Sequence, residues 1–226
     1  MYLKYGEWLA EPRPNAPFFE EEKIVVRQTA DSIIAHLDCS KSLNLNNVYN
    51  IGKKDCDYSL KYILGILNSR LIGKVYQNIA QEKGKLFAEV KKVYLGQLPI
   101  KNASKAEQSA LELLVNAIIS KNSELTTNIS NFANFVASEF SIPAKNVDNL
   151  IEMDFKYFVS CIEKQIKLRK LTLAKKSEWM QYFEDEKEKN LTIHADIDRI
   201  NAEIDKMVYT LYGLTDEEII TIEADI

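Results

Sequence analysis

The spacing of apolar positions changes along the chain, and each change marks a new element. Residues 1–22 show no regular period. Pro12, Pro14 and Pro17 keep the backbone extended and remove amide donors, and Trp8, Phe18 and Phe19 are the side chains expected to pin this arm to a domain. Lys23–Gln28 is short and β-branched, which predicts a strand. Ser32–Leu37 is its expected hairpin partner across Thr29, Ala30 and Asp31. Leu45–Ile51 places Leu45, Tyr49 and Ile51 on one face of a third strand.

The period then becomes helical. Leu60, Ile63, Leu64, Leu67, Leu71, Val75 and Ile79 form one stripe, with Asp57 or Ser59 as its cap and Gly84 at its end. Phe87, Val90 and Tyr94 lead into Leu98-Pro99-Ile100, where Pro99 stops regular structure. A domain boundary is expected near Lys101–Ser104. Beyond it the chain reads as almost entirely helical. Ser104 and Glu107 make a capping box ahead of Leu111, Leu114, Val115 and Ile118. Pro143 breaks the middle stretch. Further helices are predicted over about 153–169, over Lys175–Lys187, and along the near-heptad stripe Ile193, Ile197, Ile200, Ile204, Met207, Val208 and Leu211. Gly213 stops this last helix, and Thr215 with Glu218 opens a terminal turn. The expected fold is therefore α+β. A small-sheet domain over residues 1–101 precedes an all-α, antiparallel, coiled-coil-like segment over 102–226.

Composition narrows this little. With 46% hydrophobic and 27% charged residues, the 226-residue chain has an ordinary globular make-up. No stretch nears the roughly 18 uninterrupted apolar residues of a membrane span, and no signal-peptide pattern opens the sequence. The three cysteines, Cys39, Cys56 and Cys161, are too scattered for a disulfide framework or a zinc site, and they suit a reducing, cytoplasmic setting.

Charge changes the picture more. The net charge is −4, yet residues 1–101 hold 15 basic against 11 acidic residues while 102–226 hold 14 against 22. From Lys23 to Lys101 the balance is 13 basic to 6 acidic, which would attract a polyanion. Solvation of the surface by lysines accounts for the same numbers.

Catalytic motifs are missing: there is no GxGxxG, no GxxxxGK[ST], no HExxH, no GxSxG and no Asn-Pro-Pro-aromatic loop. Glu21-Glu22-Lys23 offers a Glu-x-Lys triplet of the nuclease kind, a pattern of low specificity. His36 lacks a partner at metal or acid–base spacing and reads as structural or surface. Cys39 and Cys56 read as small buried hydrophobes.

Two stretches invite a ligand. Lys41–Lys54 interleaves lysine with Asn44, Asn46, Asn47 and Asn50, and asparagine can read adenine at two points while lysine meets phosphate or guanine. The competing reading is a strand edge with turn-favouring asparagines. Around Gly84, Lys83, Lys85, Lys91 and Lys92 could cradle a phosphate, or simply solvate a loop. Arg27 and Gln28, at a strand end, could add base contacts. The run Lys164–Lys176 reads as the solvent face of a helix.

Several blocks resemble a known family. Tyr5-Gly6-Glu7-Trp8-Leu9-Ala10, Lys23-Ile24-Val25-Val26-Arg27 and Asn46-Asn47-Val48-Tyr49 occur in that order. They precede Tyr58-Ser59-Leu60-Lys61-Tyr62-Ile63-Leu64-Gly65-Ile66-Leu67-Asn68-Ser69 and Glu82-Lys83-Gly84-Lys85…Leu98-Pro99-Ile100. Residues 1–101 thus resemble the TaqI-like C-terminal specificity (target recognition) domain of adenine-specific DNA methyltransferases, including type IIG restriction-modification enzymes. The tail from Ile204 through Tyr209, Tyr212, Gly213 and Thr215 to Ile219 resembles the end of the same enzymes.

The resemblance implies sequence-specific binding of double-stranded DNA, with catalysis in an upstream N6-adenine methyltransferase domain that binds S-adenosylmethionine, and Mg²⁺ if the parent also cuts. This chain lacks that domain and reads as an excised C-terminal piece or a separate specificity subunit. It is expected to hold no cofactor and no metal, and to have no catalytic residue. Lys41, Lys53, Lys54, Lys83, Lys85, Lys91 and Lys92 are the expected phosphate contacts. Arg27, Gln28, Asn44, Asn46 and Asn47 are the expected base contacts. The helical segment would brace the domain against the methyltransferase part or a second copy in a homodimer. The alternative is a helical protein–protein interaction module that assembles a restriction-modification complex, for which the Ile193–Leu211 stripe speaks.

Overall fold

The structure is a computed structural model, and it describes residues 21–40, 42–44, 47–53, 56–81, 88–143, 149–166 and 170–224. The arm around Trp8, Phe18 and Phe19 lies outside the described residues, as do Leu45, Gly84 and Phe87. The fold is α+β: three strands, β1 (Lys23–Arg27), β2 (Ala35–Asp38) and β3 (Val48–Gly52), precede seven helices among the described residues. These are α1 (Leu60–Leu67), α2 (Arg70–Ala80), α3 (Lys92–Leu95), α4 (Lys105–Phe140), α5 (Phe155–Gln165), α6 (Leu173–Tyr212) and α7 (Asp216–Glu223).

The predicted stripe from Leu60 to Ile79 is broken into α1 and α2 at Asn68-Ser69. Ser69 closes one helix and opens the next: its hydroxyl donates to the Ile66 carbonyl at 2.7 Å and accepts from the Ile72 amide at 3.4 Å. Asn68 is drawn aside to the sheet, where it accepts from the Ala35 amide at 3.1 Å and donates to the Ala35 carbonyl at 3.0 Å. The free edge of β2 is thereby covered. Ser59, not Asp57, caps α1. Gln81, in the left-handed region at φ 52°, ends α2 before Gly84 is reached.

The helices predicted over 175–187 and 193–211 are one helix of 40 residues. No glycine or proline separates them, and Asn190 turns its side chain back to the Glu186 carbonyl at 2.7 Å without leaving the helix. Both capping boxes form as expected, at Ser104/Glu107 and at Thr215/Glu218. Gly213 ends α6 at φ 71°, a conformation that costs a residue with a Cβ.

The chain forms two compact units. The first joins Met1–Val115 to Ile204–Ile226; the second is Asn116–Glu203. The expected division at 101/102 follows the change of period, whereas the compact units cut inside α4 and α6. In the first unit, Ile24, Val26 and Leu37 lie on one face of the sheet, and Leu60, Leu64, Ile72 and Tyr76 are buried with them. Gly65 lets α1 approach α4 closely, because a Cβ there would lie 2.9 Å from Val115 Cγ2 and 3.0 Å from Leu111 Cγ. The tail belongs to this unit: Val208 is fully buried, and the Tyr212 hydroxyl donates to the Pro99 carbonyl and accepts from the Lys101 amide at 3.1 Å.

The second unit has an aromatic core. Phe132, Phe158, Trp179 and Phe183 are buried together, with the rings of Phe158 and Phe183 4.9 Å apart. Lys121 pairs with Asp196 at 3.0 Å, and Lys187 reaches the Met153 carbonyl at 2.6 Å. Two cations at the end of the basic run are paired here: Lys175 with Glu139 and Lys176 with Glu163.

Candidate nucleic-acid interface

The sheet order is β2-β1-β3, with both outer strands antiparallel to β1. Residues directly opposite one another share a face. Ile24, Val26, Ala35, Leu37, Tyr49 and Ile51 therefore form the apolar face, and Tyr49 with Ile51 falls where the alternation predicts. The other face carries Lys23, Val25, Arg27, His36, Asp38, Val48, Asn50 and Gly52. Most of its side chains are polar, and Arg27 and His36 on it are exposed.

Because β2 and β3 run parallel to each other, the chain between them crosses β1. It leaves beside Lys23, which pairs with Asp38, and returns beside Arg27, which pairs with Val48. It spans about 13 Å along β1 at the usual strand rise. Described residues pin it at three places.

At the start, the buried Asp38 carboxylate accepts from Lys23 Nζ at 2.6 Å, from the Ser40 amide at 2.9 Å and hydroxyl at 2.7 Å, and from the Ser42 amide at 3.0 Å. Burial raises this carboxyl, but the Lys23 ammonium and the serine donors outweigh burial and hold it well below the usual carboxylate range. In the middle, Asn44 Nδ2 donates to Asn50 Oδ1 at 2.9 Å. At the end, the Gln28 amide donates to the Asn47 carbonyl at 3.0 Å.

Gln28 also gathers a third segment. Its carbonyl accepts from the Val90 amide at 2.7 Å. The next residue, Lys91, donates its amide to the Tyr76 hydroxyl at 3.0 Å and holds its ammonium 6.0 Å from the centre of the Tyr94 ring. Arg27, Gln28, Asn47, Lys91 and Lys92 are thus brought together at one end of β1, and all but the half-buried Gln28 are exposed. The cations can neutralise phosphates, and the amide and guanidinium groups can reach base edges.

Other expected contacts are placed differently. Lys53 lies past the far end of β3, in a polar pocket of about 280 Å³ shared with Lys105, Ser59 and Glu112. Asn44 has its Nδ2 engaged and its Oδ1 buried without a partner among the described residues. A two-point adenine contact uses both atoms. Lys41, Asn46, Lys54, Lys83 and Lys85 lie outside the described residues.

Asn50, one of the asparagines of the Lys41–Lys54 stretch, stands on this face, and so does His36, which the sequence offers only as structural or surface. The alternation around Leu37 holds the signal, since it sends His36 to the side away from the core. The Glu-x-Lys triplet does not assemble as a nuclease site would, because Lys23 is fully buried on Asp38. Cys39 and Cys56 are exposed, not buried, and the Cys39 thiol donates to Glu22 at 3.3 Å. Partial loss of solvent around the sulfur first, then the Glu22 carboxylate, pushes that thiol up. Among the described residues no group of three or more His, Cys, Asp or Glu side chains could hold a metal ion, and no helix is long and apolar enough to cross a membrane.

Residues 1–100 match the family described as the TaqI-like C-terminal specificity domain. Residues 104–208 match a family described as a domain of unknown function (DUF8810). The search of curated proteins and the search of solved structures each gave no match.

Proposed function

With residues 1–100 matching a TaqI-like C-terminal specificity domain, we propose that this chain reads duplex DNA sequence as the specificity part of a restriction-modification system. The observation that carries the reading is the gathering of Arg27, Gln28, Asn47, Lys91 and Lys92 at one end of a sheet whose opposite face carries the buried Ile24, Val26 and Leu37. A site on strands and on pinned connections holds its groups more firmly than one on free loops. Lys91 and Lys92, with Lys41, Lys54, Lys83 and Lys85, set the register on phosphates. Arg27, Gln28 and Asn47, with Asn46, touch base edges.

In this reading the chemistry belongs to an N6-adenine methyltransferase domain or subunit that carries S-adenosylmethionine, of the type IIG kind if it also cleaves with Mg²⁺. Binding here would accompany flipping of the target adenine into that catalytic pocket. The setting is the cytoplasm, where such systems meet DNA.

The test is retention of the 226-residue chain on a randomised duplex pool at two salt concentrations, followed by sequencing. Enrichment of a short motif is the expected result. Absence of any retention at low salt would remove the reading.

A second reading applies to the second unit. Phe135 is 51% exposed and Met180 52% exposed beside the aromatic core, which favours a protein-binding helical surface. It makes residues 102–226 the element that docks the methyltransferase part or a second copy in a homodimer. Light scattering with and without a methyltransferase partner tests this.

A further inference from the structure

The polar face of the sheet contains one fully buried cation, Lys23, which is costly unless a partner answers it. Its partner, Asp38, does more than neutralise it. One oxygen, Oδ2, takes Lys23 at 2.6 Å and the Ser42 amide at 3.0 Å. The other, Oδ1, takes the Ser40 amide at 2.9 Å and the Ser40 hydroxyl at 2.7 Å. The two serine hydroxyls lie 2.6 Å apart and lock each other. A single carboxylate thus joins the middle strand of the sheet to the first turn of the chain that crosses it. Downstream, Asn44 is fastened to Asn50, which stands on the same polar face.

From this geometry we propose that Asp38 is a positioning residue for sequence preference: through its ion pair with Lys23 it fixes the path of Ser40, Ser42 and Asn44 over the polar sheet face, and so the presentation of Asn47 beside Arg27. The inference rests on the DNA-reading proposal and deepens it. Asp38 itself is buried and touches no base. A carboxylate engaged on several sides has one orientation, so Ser40 and Ser42 inherit one position. A merely stabilising contact would leave preference untouched when the fold is kept.

Two variants separate these roles. The pair Lys23→Met with Asp38→Leu replaces a buried ion pair by apolar side chains, an exchange that proteins often tolerate without loss of stability. Ser40→Ala with Ser42→Ala leaves the ion pair intact and removes the hydroxyls from the latch.

Each variant is measured in the full chain in two ways. The first is amide hydrogen exchange at Ser40 and Ser42 in the absence of DNA. The second is motif enrichment from a randomised duplex pool, with total retention recorded at two salt concentrations.

The expected result for the first variant is exchange at least about tenfold faster at these amides, which have lost their acceptor. Discrimination should fall about tenfold, with low-salt retention within about twofold of the parent chain. The serine variant should show the same direction with a smaller change. Unchanged exchange in both variants would overturn the latch. Faster exchange with unchanged enrichment would overturn the specificity role while leaving the latch in place. If the parent chain retains no duplex at low salt, the DNA reading falls and takes the specificity role with it, and the exchange data still decide the latch.

Discussion

Asp205 in α6 accepts the backbone amide of Arg70 at 2.8 Å and its Nε at 3.2 Å, across 135 residues of sequence. Together with Ser69, which takes the Ile72 amide, it answers two of the first-turn amides of α2. The tail is therefore a structural part of the sheet-bearing unit. Burial is the main influence on Asp205 and raises its carboxyl above the ordinary range, with Arg70 pulling the other way.

Because the backbone amide is the important donor, the two obvious replacements at Asp205 should differ. Asp205→Asn keeps an acceptor oxygen for the Arg70 amide and removes a charge that burial disfavours, so stability should change by less than about 1 kcal/mol. Asp205→Ala leaves the amide without an acceptor and should cost about 1–2 kcal/mol. Thermal or urea denaturation checks this. Equal losses in the two variants would show that the ion pair, not the cap, matters.

Residues 1–101 alone should not fold cooperatively. That piece lacks Leu111 and Val115, which pack against Gly65, and it lacks Val208, Tyr209 and the Tyr212 hydroxyl that bridges Pro99 and Lys101. Each large apolar side chain withdrawn from a core forfeits roughly 1.5–3 kcal/mol, against a total stability of about 5–15 kcal/mol. Circular dichroism on heating should show a sigmoidal transition for the full chain and a broad, featureless one for 1–101. A sharp transition for the short piece would make the tail an accessory.

Two carboxylates should give opposite pH signatures. The Asp38 carboxyl is held below its unfolded value of about 3.9, so its contribution is full above about pH 5 and is lost as pH falls through the acid range. The Asp205 carboxyl is raised, so its contribution is full below about pH 4 and is lost as pH rises through its folded value. Relative to the parent chain, Asp205→Asn should therefore gain stability between about pH 4 and neutrality. The Lys23→Met, Asp38→Leu pair should lose less stability than the parent below about pH 4. Urea midpoints across this range test both, and curves parallel to the parent would contradict them.

These residues also show why part of the fold could be read in advance. The Leu64-Gly65-Ile66-Leu67-Asn68-Ser69 block is distinctive because its polar and small members each have a separate task. Gly65 admits α4, Asn68 seals β2, and Ser69 turns α1 into α2. The tail block is similar: Gly213 supplies a positive φ, and Thr215 with Glu218 caps α7. Local chemistry of this kind is visible in sequence.

The joining of Asp205 to Arg70 is not visible, because it depends on how distant elements meet. The break at Ser69 was also hidden, since the apolar stripe runs through it unchanged. Of the candidate site, Arg27, Gln28, Asn47, Lys91 and Lys92 are legible in sequence only through polarity and position along the chain. Their gathering at Gln28 comes from backbone hydrogen bonds that side-chain identity does not encode. Asn44 looked the same as Asn47 in sequence, yet one is tied to Asn50 and the other is exposed.

Arg27 and Lys92 provide the sharpest contrast within the proposed interface. Arg27 stands exposed at the end of β1, where a planar guanidinium could take two acceptors of a guanine edge. Arg27→Ala should cost about 1–3 kcal/mol on the preferred site and flatten preference at one base position, with little effect on random duplex. Lys92, exposed at the start of α3, carries a point charge suited to phosphate. Lys92→Ala should weaken binding to all duplexes alike and lower the slope of log affinity against log salt by about 0.9. Titrations of both variants on an enriched and a scrambled duplex at several salt concentrations separate the two roles. A Lys92→Ala variant that altered preference with an unchanged salt slope would place that lysine on a base, and the phosphate assignment would be withdrawn.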